Sequence, residues 1–350
     1  MYIVIAILIF AFLIVTHELG HFVAAKLFHV RVSEFAVGFG PALLKKQKGE
    51  TLYALRAFPL GGFCAMEEDE ESEDPRAFTN QKWWKRFIIL FAGAFMNFLT
   101  GLVILMFIVP KSAAYTTPTI TGFFEGCPYE SDFGLHQGDT LYEIDGQRVY
   151  FASDISVLLS RSDSETRDFV VIRDGAKTEL GGFKFVKVPY EVNGEETLMY
   201  GIEYGVKETG VLANIKYTWN GALDFVRLVW MGLGDLVTGA VGVKELSGPV
   251  GIVGIINEVG TNAENASAAA SVIAYLAAFL AVNLAVMNLL PIPALDGGRL
   301  FFLLINAVIL AVFRKKPDPK YEGYIHATGF ALLILLMVVV MFNDVYKLIF

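Results

Sequence analysis

Four stretches of the chain are apolar and contain no Asp, Glu, Lys or Arg: Met1–Thr16, Phe87–Pro110, Asn265–Leu295 and Gly323–Asn343. A helix that crosses the hydrocarbon core of a bilayer needs about 20 apolar residues. The pattern therefore predicts a polytopic α-helical membrane protein with about four transmembrane helices. The first stretch lacks the basic start and the small-residue cleavage site of a signal peptide, so we expect a retained span.

The pattern changes between these stretches. Val32–Gly40 and Thr51–Leu60 are strand-like and flank a polar segment, which predicts a membrane-associated β-hairpin. From about Tyr115 to Tyr204, strand-like runs alternate with Asp-Gly and Asn-Gly turns, as in a soluble β/α domain. Val211–Val243 is amphipathic and contains two tryptophans, which is typical of a helix that lies on a membrane surface.

These shifts divide the chain into four parts. Residues 1–114 form an N-terminal membrane part, 115–208 an inserted extracytoplasmic domain, 209–262 the surface helix with a linker, and 263–350 a C-terminal membrane part. The uncharged run Leu300–Phe313 is short for a crossing, so we expect it to complete the third span.

Composition agrees with a membrane protein. Hydrophobic residues make up 55% of the chain and charged residues 18%, whereas a soluble domain has about a quarter charged residues. Proteins that bind nucleic acid normally have a basic surface, so the net charge of −8 argues against a nucleic-acid partner. The expected partner is the lipid bilayer.

The distribution of basic residues predicts the orientation. Half of the 28 Lys and Arg residues lie in two connections between spans, at Lys26, Arg31, Lys45, Lys46, Lys48, Arg56, Arg76, Lys82, Lys85, Arg86, Arg314, Lys315, Lys316 and Lys320. Because cytoplasmic loops are enriched in Lys and Arg, these connections are expected in the cytoplasm and both termini outside it. Cys64 and Cys127 then lie on opposite sides, so no disulfide is expected.

The first apolar stretch ends in Thr16-His17-Glu18-Leu19-Gly20-His21. On a helix, residues i and i+4 share a face, so both imidazoles can bind one metal ion. Glu18 lies beside the first ligand, where it can accept a proton from a water molecule that the metal activates. The residues before His17 extend a helix by about 24 Å, which places the site inside a core about 30 Å thick.

A metal held by two histidines needs a third protein ligand. The candidates are the remaining histidines and any carboxylate inside the apolar stretches: His29, His136, His326 and Asp296. The acidic run Glu67–Asp74 is more typical of a solvated loop than of a metal site.

Asp296 interrupts the apolar stretch within Asn288–Arg299. Pro291, Pro293 and a Gly pair are expected to unwind the helix there. Unwound backbone at membrane depth is tolerated where it lines a polar cavity, as an active site provides. The alternative is a local pair of Asp296 and Arg299 at an interfacial turn.

These segments resemble the site-2 protease family of intramembrane zinc metalloproteases. His17–His21 matches the HExxH motif of that family, and Asn288–Gly298 matches its NxxPxPxLDGG segment. Further likenesses lie between Asp74 and Asn97, at Ser247–Ile252 and at Phe342–Asp344, so the resemblance covers most of the chain. Within the family, the chain is similar to the bacterial RseP-like or RasP-like subgroup with a single PDZ domain.

The resemblance implies a site and a cofactor. It implies Zn²⁺ held by His17, His21 and Asp296, with Glu18 as the general base. Asn288 is implied to assist at the substrate or at the developing oxyanion. The two prolines, Pro291 and Pro293, are implied to shape the broken helix where the substrate is positioned.

The resemblance also implies how substrates reach the site. The hairpin, with Gly38 and Gly40, is implied to dip toward the active site and to hold the substrate as an added strand. An ordinary cytoplasmic hairpin is the alternative. Phe133–Asp139 and Leu141–Gly146 resemble a PDZ pattern, whose groove would either recruit a peptide or exclude large ectodomains.

The implied function is a zinc-dependent intramembrane endopeptidase that hydrolyses peptide bonds in transmembrane segments. Its implied partners are single-span membrane proteins cut first by another protease, such as anti-sigma factors or signal-peptide remnants. The implied location is the bacterial cytoplasmic (inner) membrane, with the PDZ domain extracytoplasmic and the active site toward the cytoplasmic side.

Two other classes of function fit parts of the sequence. One is a membrane scaffold that binds partners through the PDZ domain and has a non-catalytic metal site. The other is a divalent-metal transporter with intramembrane His and Asp ligands. Glu18 argues against both, because neither needs a general base beside the ligands.

Overall fold

A computed structural model describes residues 1–66, 72–111, 114–131, 134–161, 164–192, 195–242, 245–314 and 319–349. The chain divides into two compact units. The first comprises Met1–Ile108 and Ala222–Phe350, and the second comprises Val109–Gly221. The predicted part boundaries at residues 114, 208 and 262 remain predictions.

Long helices dominate the first unit. They are α1 (Tyr2–Leu27), α2 (Trp83–Ile108), α4 (Val211–Thr238, which begins in the second unit), α5 (Pro249–Asn262), α6 (Ala266–Asn288), α7 (Asp296–Phe313) and α8 (Pro319–Ile349). Within the described residues, five helical segments are long and apolar enough to cross a membrane: Tyr2–Leu27, Trp83–Ile108, Ala266–Asn288, Asp296–Phe313 and Lys320–Lys347. The chain is therefore described as a membrane protein.

The expected count of four spans is not confirmed. Residues 289–295 separate α6 from α7, and α7 is a helix in its own right rather than the end of the third span. The break follows from the two prolines and from Ala294, whose φ of 77° lies in the left-handed region. Pro249–Asn262, within the part expected to hold a linker, is also helical.

The amphipathic segment forms helix α4 and does not qualify as a span by length and composition. Charged residues explain this result. Asp224 is buried and accepts a hydrogen bond from Arg227 one turn later, so this pair of charges lies on one face of the helix. Trp219 and Trp230 remain about half exposed on the helix surface.

The predicted hairpin consists of β1 (Val32–Lys48) and β2 (Thr51–Met66). Residues 34–37 pair with residues 62–65 on one side and with residues 52–55 on the other. Both strands therefore bend back on themselves. Within the part of the chain that the structure describes, no strand pairs with the far side of residues 62–65. This outer edge of β2 is the edge that faces the site described below.

Close packing joins α1 to α2. A Cβ atom added to Gly20 would lie 2.3 Å from the carbonyl oxygen of Ala92, so only glycine permits this approach. Apolar side chains continue the contact toward the hairpin and α7, and the buried members are Ala24, Ala25, Val30, Val32, Phe78, Ile89, Leu90, Leu300 and Leu303. The packing fixes α1 relative to α2 and α7.

The second unit contains an antiparallel sheet and one short helix. Its strands are β3 (Ala114–Phe123), β4 (Thr140–Ile144), β5 (Gln147–Arg148), β6 (Thr166–Arg173), β7 (Ala176–Lys184), β8 (Val188–Val192), β9 (Glu195–Met199) and β10 (Ile202–Glu208), and its helix is α3 (Ala152–Ser160). The main sheet has the order β10-β3-β4-β6-β7, with β5 paired to β4. Strands β8 and β9 form a separate pair.

Two tight turns in this unit agree with the sequence. Asp145-Gly146 and Asp174-Gly175 have positive φ at both positions, as a two-residue hairpin turn of type I′ requires. The third expected turn, Asn193-Gly194, lies outside the described residues. So do residues 67–71 of the acidic run. At its far end, Asp74 lies 3.4 Å from both Arg31 and Arg76.

Candidate metal centre

His17 and His21 lie one turn apart on α1, as their spacing predicts. Their rings meet edge to face with centroids 4.8 Å apart, and the two Nε2 atoms are separated by 3.2 Å. Both side chains are largely buried, at 12% and 8% exposure. Helix α1 therefore directs the Nε2 atoms of both rings toward the same point.

Asp296 completes the cluster from the first position of α7. Its Oδ2 atom lies 3.0 Å from His17 Nε2 and 3.2 Å from His21 Nε2. Among the described residues, these three form the group of His, Cys, Asp and Glu side chains with metal-ligand spacing.

The three donor atoms fit zinc. In a tetrahedral site with bonds of about 2.0–2.1 Å, neighbouring ligand atoms lie about 3.3–3.4 Å apart. The triangle here has sides of 3.0, 3.2 and 3.2 Å. Asp296 Oδ2 is also buried without a hydrogen-bond partner in the described part of the chain. A carboxylate oxygen buried in this way is expected to bind a cation.

A backbone carbonyl orients His21. The Nδ1 atom of His21 lies 2.8 Å from the carbonyl oxygen of Ile89 on α2. Because a carbonyl can only accept, Nδ1 must donate, and the lone pair of the neutral ring then lies on Nε2. This is the usual support for a histidine that binds a metal through its other nitrogen.

The loop before Asp296 is held from two sides. His326 Nδ1 on α8 accepts the N–H of Ala294 at 2.9 Å, at the residue with positive φ. Gly297 and Gly298 pack against the loop so closely that an added Cβ would lie 2.2 Å from Leu290 O and 2.4 Å from Ile292 O, respectively. The Gly pair thus permits α7 to start directly beneath the loop.

Glu18 is fixed by the hairpin. Its Oε2 atom accepts the backbone N–H of Cys64 at 2.9 Å. Residue 64 pairs with Phe35 of β1 on its other side, so this N–H points away from the hairpin. The carboxylate therefore lies between the metal cluster and the outer edge of β2.

Two asparagines meet the second nitrogen of His17. Asn288, the last residue of α6, and Asn97 on α2 each place an amide group 3.4 Å from His17 Nδ1. The sequence predicts a role for Asn288. Asn97 closes the segment from Asp74 that resembles the family, but the sequence assigns it no role, because α2 reaches the site only through tertiary packing.

Gly93 is a second site residue that the sequence motifs do not identify. A Cβ atom added there would lie 2.3 Å from His21 Nε2 and 2.8 Å from His17 Cε1. Glycine at this position lets α2 pack directly against both imidazoles. The signal available in the sequence was a small-residue run, Ala92-Gly93-Ala94.

The remaining predicted site residues lie at the bend of β1 and in the loop between α6 and α7. Gly38 and Gly40 have φ of 86° and 84° at the bend of β1, and a Cβ atom on Gly38 would lie 2.5 Å from Phe58 O. Pro291 and Pro293 lie in the loop between α6 and α7. The other candidate ligands, His29, His136 and His326, are not members of the cluster.

Comparisons with known proteins identify the family of the chain. Residues 5–336 match the model of Peptidase family M50. A relative from Clostridium acetobutylicum, provisionally named a zinc metalloprotease, is 36% identical over 98% of this chain and 97% of its own length. The Zinc metalloprotease RasP of Geobacillus kaustophilus is 30% identical, and the Regulator of sigma-W protease RasP of Bacillus subtilis is 28% identical. The two cover 97% and 98% of this chain, and each alignment covers 97% of the relative.

Proposed function

Because the chain belongs to peptidase family M50 and is a zinc metalloprotease, we propose that it cleaves peptide bonds inside the transmembrane segments of membrane proteins. One observation supports this most directly. The three candidate ligands and Glu18 lie on α1 and α7, which are both long and apolar enough to cross a membrane. A peptide bond that reaches them must come from a segment at membrane depth.

In this proposal His17, His21 and Asp296 hold the zinc ion. When bound, zinc supplies Lewis acidity, which polarises a carbonyl group and makes water a better nucleophile at neutral pH. Three protein ligands leave a fourth position open, as catalytic zinc sites require. The Ile89 carbonyl keeps the lone pair of His21 on Nε2 throughout the reaction.

Glu18 acts as the general base. It accepts a proton from the attacking water and delivers it to the nitrogen of the leaving amine. The hydrogen bond from Cys64 N–H holds one carboxylate oxygen, which leaves the other for the water. Asn288 assists at the substrate carbonyl or the developing oxyanion, because its amide lies beside His17.

The hairpin positions the substrate in extended form. A transmembrane helix hides its peptide bonds in its own hydrogen bonds, so it must unwind before hydrolysis. The outer edge of β2 offers unpaired backbone groups next to Glu18, which suits the addition of a substrate strand. Gly38 and Gly40 shape the bend of β1 that supports this edge, and Pro291 and Pro293 shape the opposite wall.

We also propose that residues 115–208 form a PDZ domain. Support comes from an antiparallel sheet with one short helix and from the Asp-Gly turns. The domain would bind an extended peptide by strand addition or exclude bulky ectodomains.

The proposed location is the bacterial cytoplasmic membrane, with both termini and the PDZ domain outside the cytoplasm and the site toward the cytoplasmic side. The distribution of Lys and Arg supports this orientation. The proposed substrates are single-span proteins already shortened by another protease, either anti-sigma factors or signal-peptide remnants. One relative is named for the regulation of sigma-W.

The proposal is tested by cleavage of a tagged single-span substrate with the purified full-length protein. Glu18→Gln should lower the rate by about 100- to 10,000-fold, because a general base contributes that much. The control is Glu196→Gln, at an exposed position of β9 in the second unit, which should cleave at the wild-type rate. Equal cleavage by wild type and Glu18→Gln, or no effect of zinc chelation, would refute the proposal.

A further inference from the structure

His17 has a second ring nitrogen that the proposed mechanism does not use. If Nε2 binds zinc, as proposed above, the neutral ring carries its proton on Nδ1. That N–H is buried and needs an acceptor. Two amide groups lie at the same distance from it, those of Asn97 and Asn288, at 3.4 Å each.

Among the described residues, Asn97 has a second partner that fixes the orientation of its amide, and Asn288 has none. Asn97 is 1% exposed. The structure has its Nδ2 atom 3.4 Å from His17 Nδ1 and its Oδ1 atom 3.4 Å from Thr16 Oγ1, which puts two donors face to face once His17 Nδ1 is protonated. The hydroxyl of Thr16 donates to Leu13 O at 2.9 Å, so its oxygen is free to accept. If the NH₂ of Asn97 faces Thr16 and its carbonyl oxygen faces His17, the NH₂ donates to Thr16 Oγ1 and the carbonyl oxygen accepts the Nδ1–H of His17. The two ends of an amide are interchangeable by a half-turn of the side chain.

We propose that Asn97 is a positioning residue for the zinc site, whose Oδ1 accepts the Nδ1–H of His17. A continuous chain of hydrogen bonds then runs from Leu13 O through Thr16 and Asn97 to the His17 ring. Both ends belong to α1, and α2 supplies the amide between them. This chain fixes the ring plane and directs Nε2 toward Asp296.

The assignment separates the tasks of the two asparagines. Once Asn97 accepts the proton of His17, the NH₂ group of Asn288 has no acceptor in the ring. Asn288 lies at the last position of α6 and is only partly buried, so its NH₂ remains available to a substrate oxygen. Asn97 thus affects zinc binding, whereas Asn288 affects turnover.

The test measures zinc affinity of the full-length protein in detergent, by competition with a chromophoric zinc chelator. Asn97→Leu removes the acceptor and should weaken zinc binding by about 10- to 100-fold, as the loss of a partner to a ligating histidine does elsewhere. Asn97→Asp keeps an acceptor oxygen and should retain affinity within about 3-fold of wild type. Asn288→Leu is the matched control and should also stay within about 3-fold.

Several outcomes would overturn the inference: unchanged affinity in Asn97→Leu, an equal loss in Asn97→Asp, or an equal loss in Asn288→Leu. If Asn97→Leu does not fold by circular dichroism, Asn97→Ala takes its place in the same comparison. The readout needs no substrate, so it is independent of proteolysis. Failure of the Glu18→Gln test would remove the proposed function, whereas failure here would remove only the role of Asn97.

Discussion

Both units enclose aspartate carboxylates, and Asp139 and Asp296 show two opposite ways of doing so. In the unit Val109–Gly221, Asp139 is 1% exposed and receives two hydrogen bonds from Arg173, at 2.8 and 2.7 Å, and one from His136 N–H. In the membrane unit, the buried oxygen of Asp296 has no hydrogen-bond partner within the described ranges and faces two imidazole nitrogens. One carboxylate is fully satisfied by the protein, and the other is not.

This difference distinguishes a carboxylate that stabilises the fold from one that is a candidate metal ligand. Asp344 of the membrane unit is a second structural case, because it is buried and accepts Gly248 N–H and Gly251 N–H at the start of α5. A carboxylate that stabilises a fold comes with its own donors, since a buried charge without them is costly. Asp296 instead faces two nitrogens that are themselves potential metal ligands. A cation bound between these three atoms would neutralise the carboxylate.

The largest expected effect is on zinc binding by Asp296→Asn. This change removes one of three proposed ligands, so affinity should fall by more than the roughly 100-fold that loss of a supporting residue causes. Added zinc should also raise the melting temperature of the metal-free wild type but not that of the variant, because a ligand stabilises only the state it binds. Both quantities are measured on the full chain in detergent.

The matched control for that variant is Asp139→Asn. It makes the same chemical change at a buried aspartate of the second unit, and its zinc affinity should equal that of wild type. Zinc binding that is lost equally in both variants, or in neither, would abolish the distinction between the two aspartates.

The second largest effect is on folding, again in Asp139→Asn. Breaking a buried pair with Arg173 should destabilise the second unit by about 3 kcal/mol, near the lower end of the usual range because Arg173 is partly exposed. Hydrogen exchange of the full-length protein should show faster exchange in β4 and β6 and no change in α1. Unchanged protection in both strands would mean that this pair contributes little.

A smaller effect is expected for Asp344→Asn. The asparagine keeps one acceptor oxygen but turns an NH₂ group toward one of the two backbone N–H groups, which should cost about 1–2 kcal/mol. Hydrogen exchange at the first turn of α5 is the measurement, with the last turn of the same helix as the internal reference. Equal acceleration at both ends would point to a general loss of stability instead.

A separate effect, on thiol reactivity rather than on binding or stability, concerns Cys64, whose N–H donates to Glu18. Burial, and then the neighbouring Glu18 carboxylate, raises the pKa of this thiol to about 12. At pH 8 the thiol therefore stays protonated, and iodoacetamide should modify it on the order of 1,000-fold more slowly than in the unfolded chain. The measurement uses Cys127→Ser protein, and the rate should increase as the pH is raised. Rapid modification at pH 8 would mean that the edge of β2 leaves the site.

Local patterns predicted much of the fold. Length and hydropathy predicted the long apolar helices, and the amphipathic pattern with internal charges predicted that α4 is not a span. The Asp-Gly pairs predicted two hairpin turns. The sequence missed the independence of α7, because a span interrupted by a short loop has the same average hydropathy as one that is merely long.

In the candidate site, too, local patterns predicted some features and tertiary contacts decided the others. The sequence by itself determined that His17 and His21 share a face of α1, because helical periodicity is a local property. Only the tertiary structure decided that Asp296 meets them, that Gly93 and Ile89 of α2 shape the ring environment, and that Cys64 holds Glu18. These contacts join residues far apart in the chain, and their geometry depends on packing within fractions of an ångström, which no local pattern encodes.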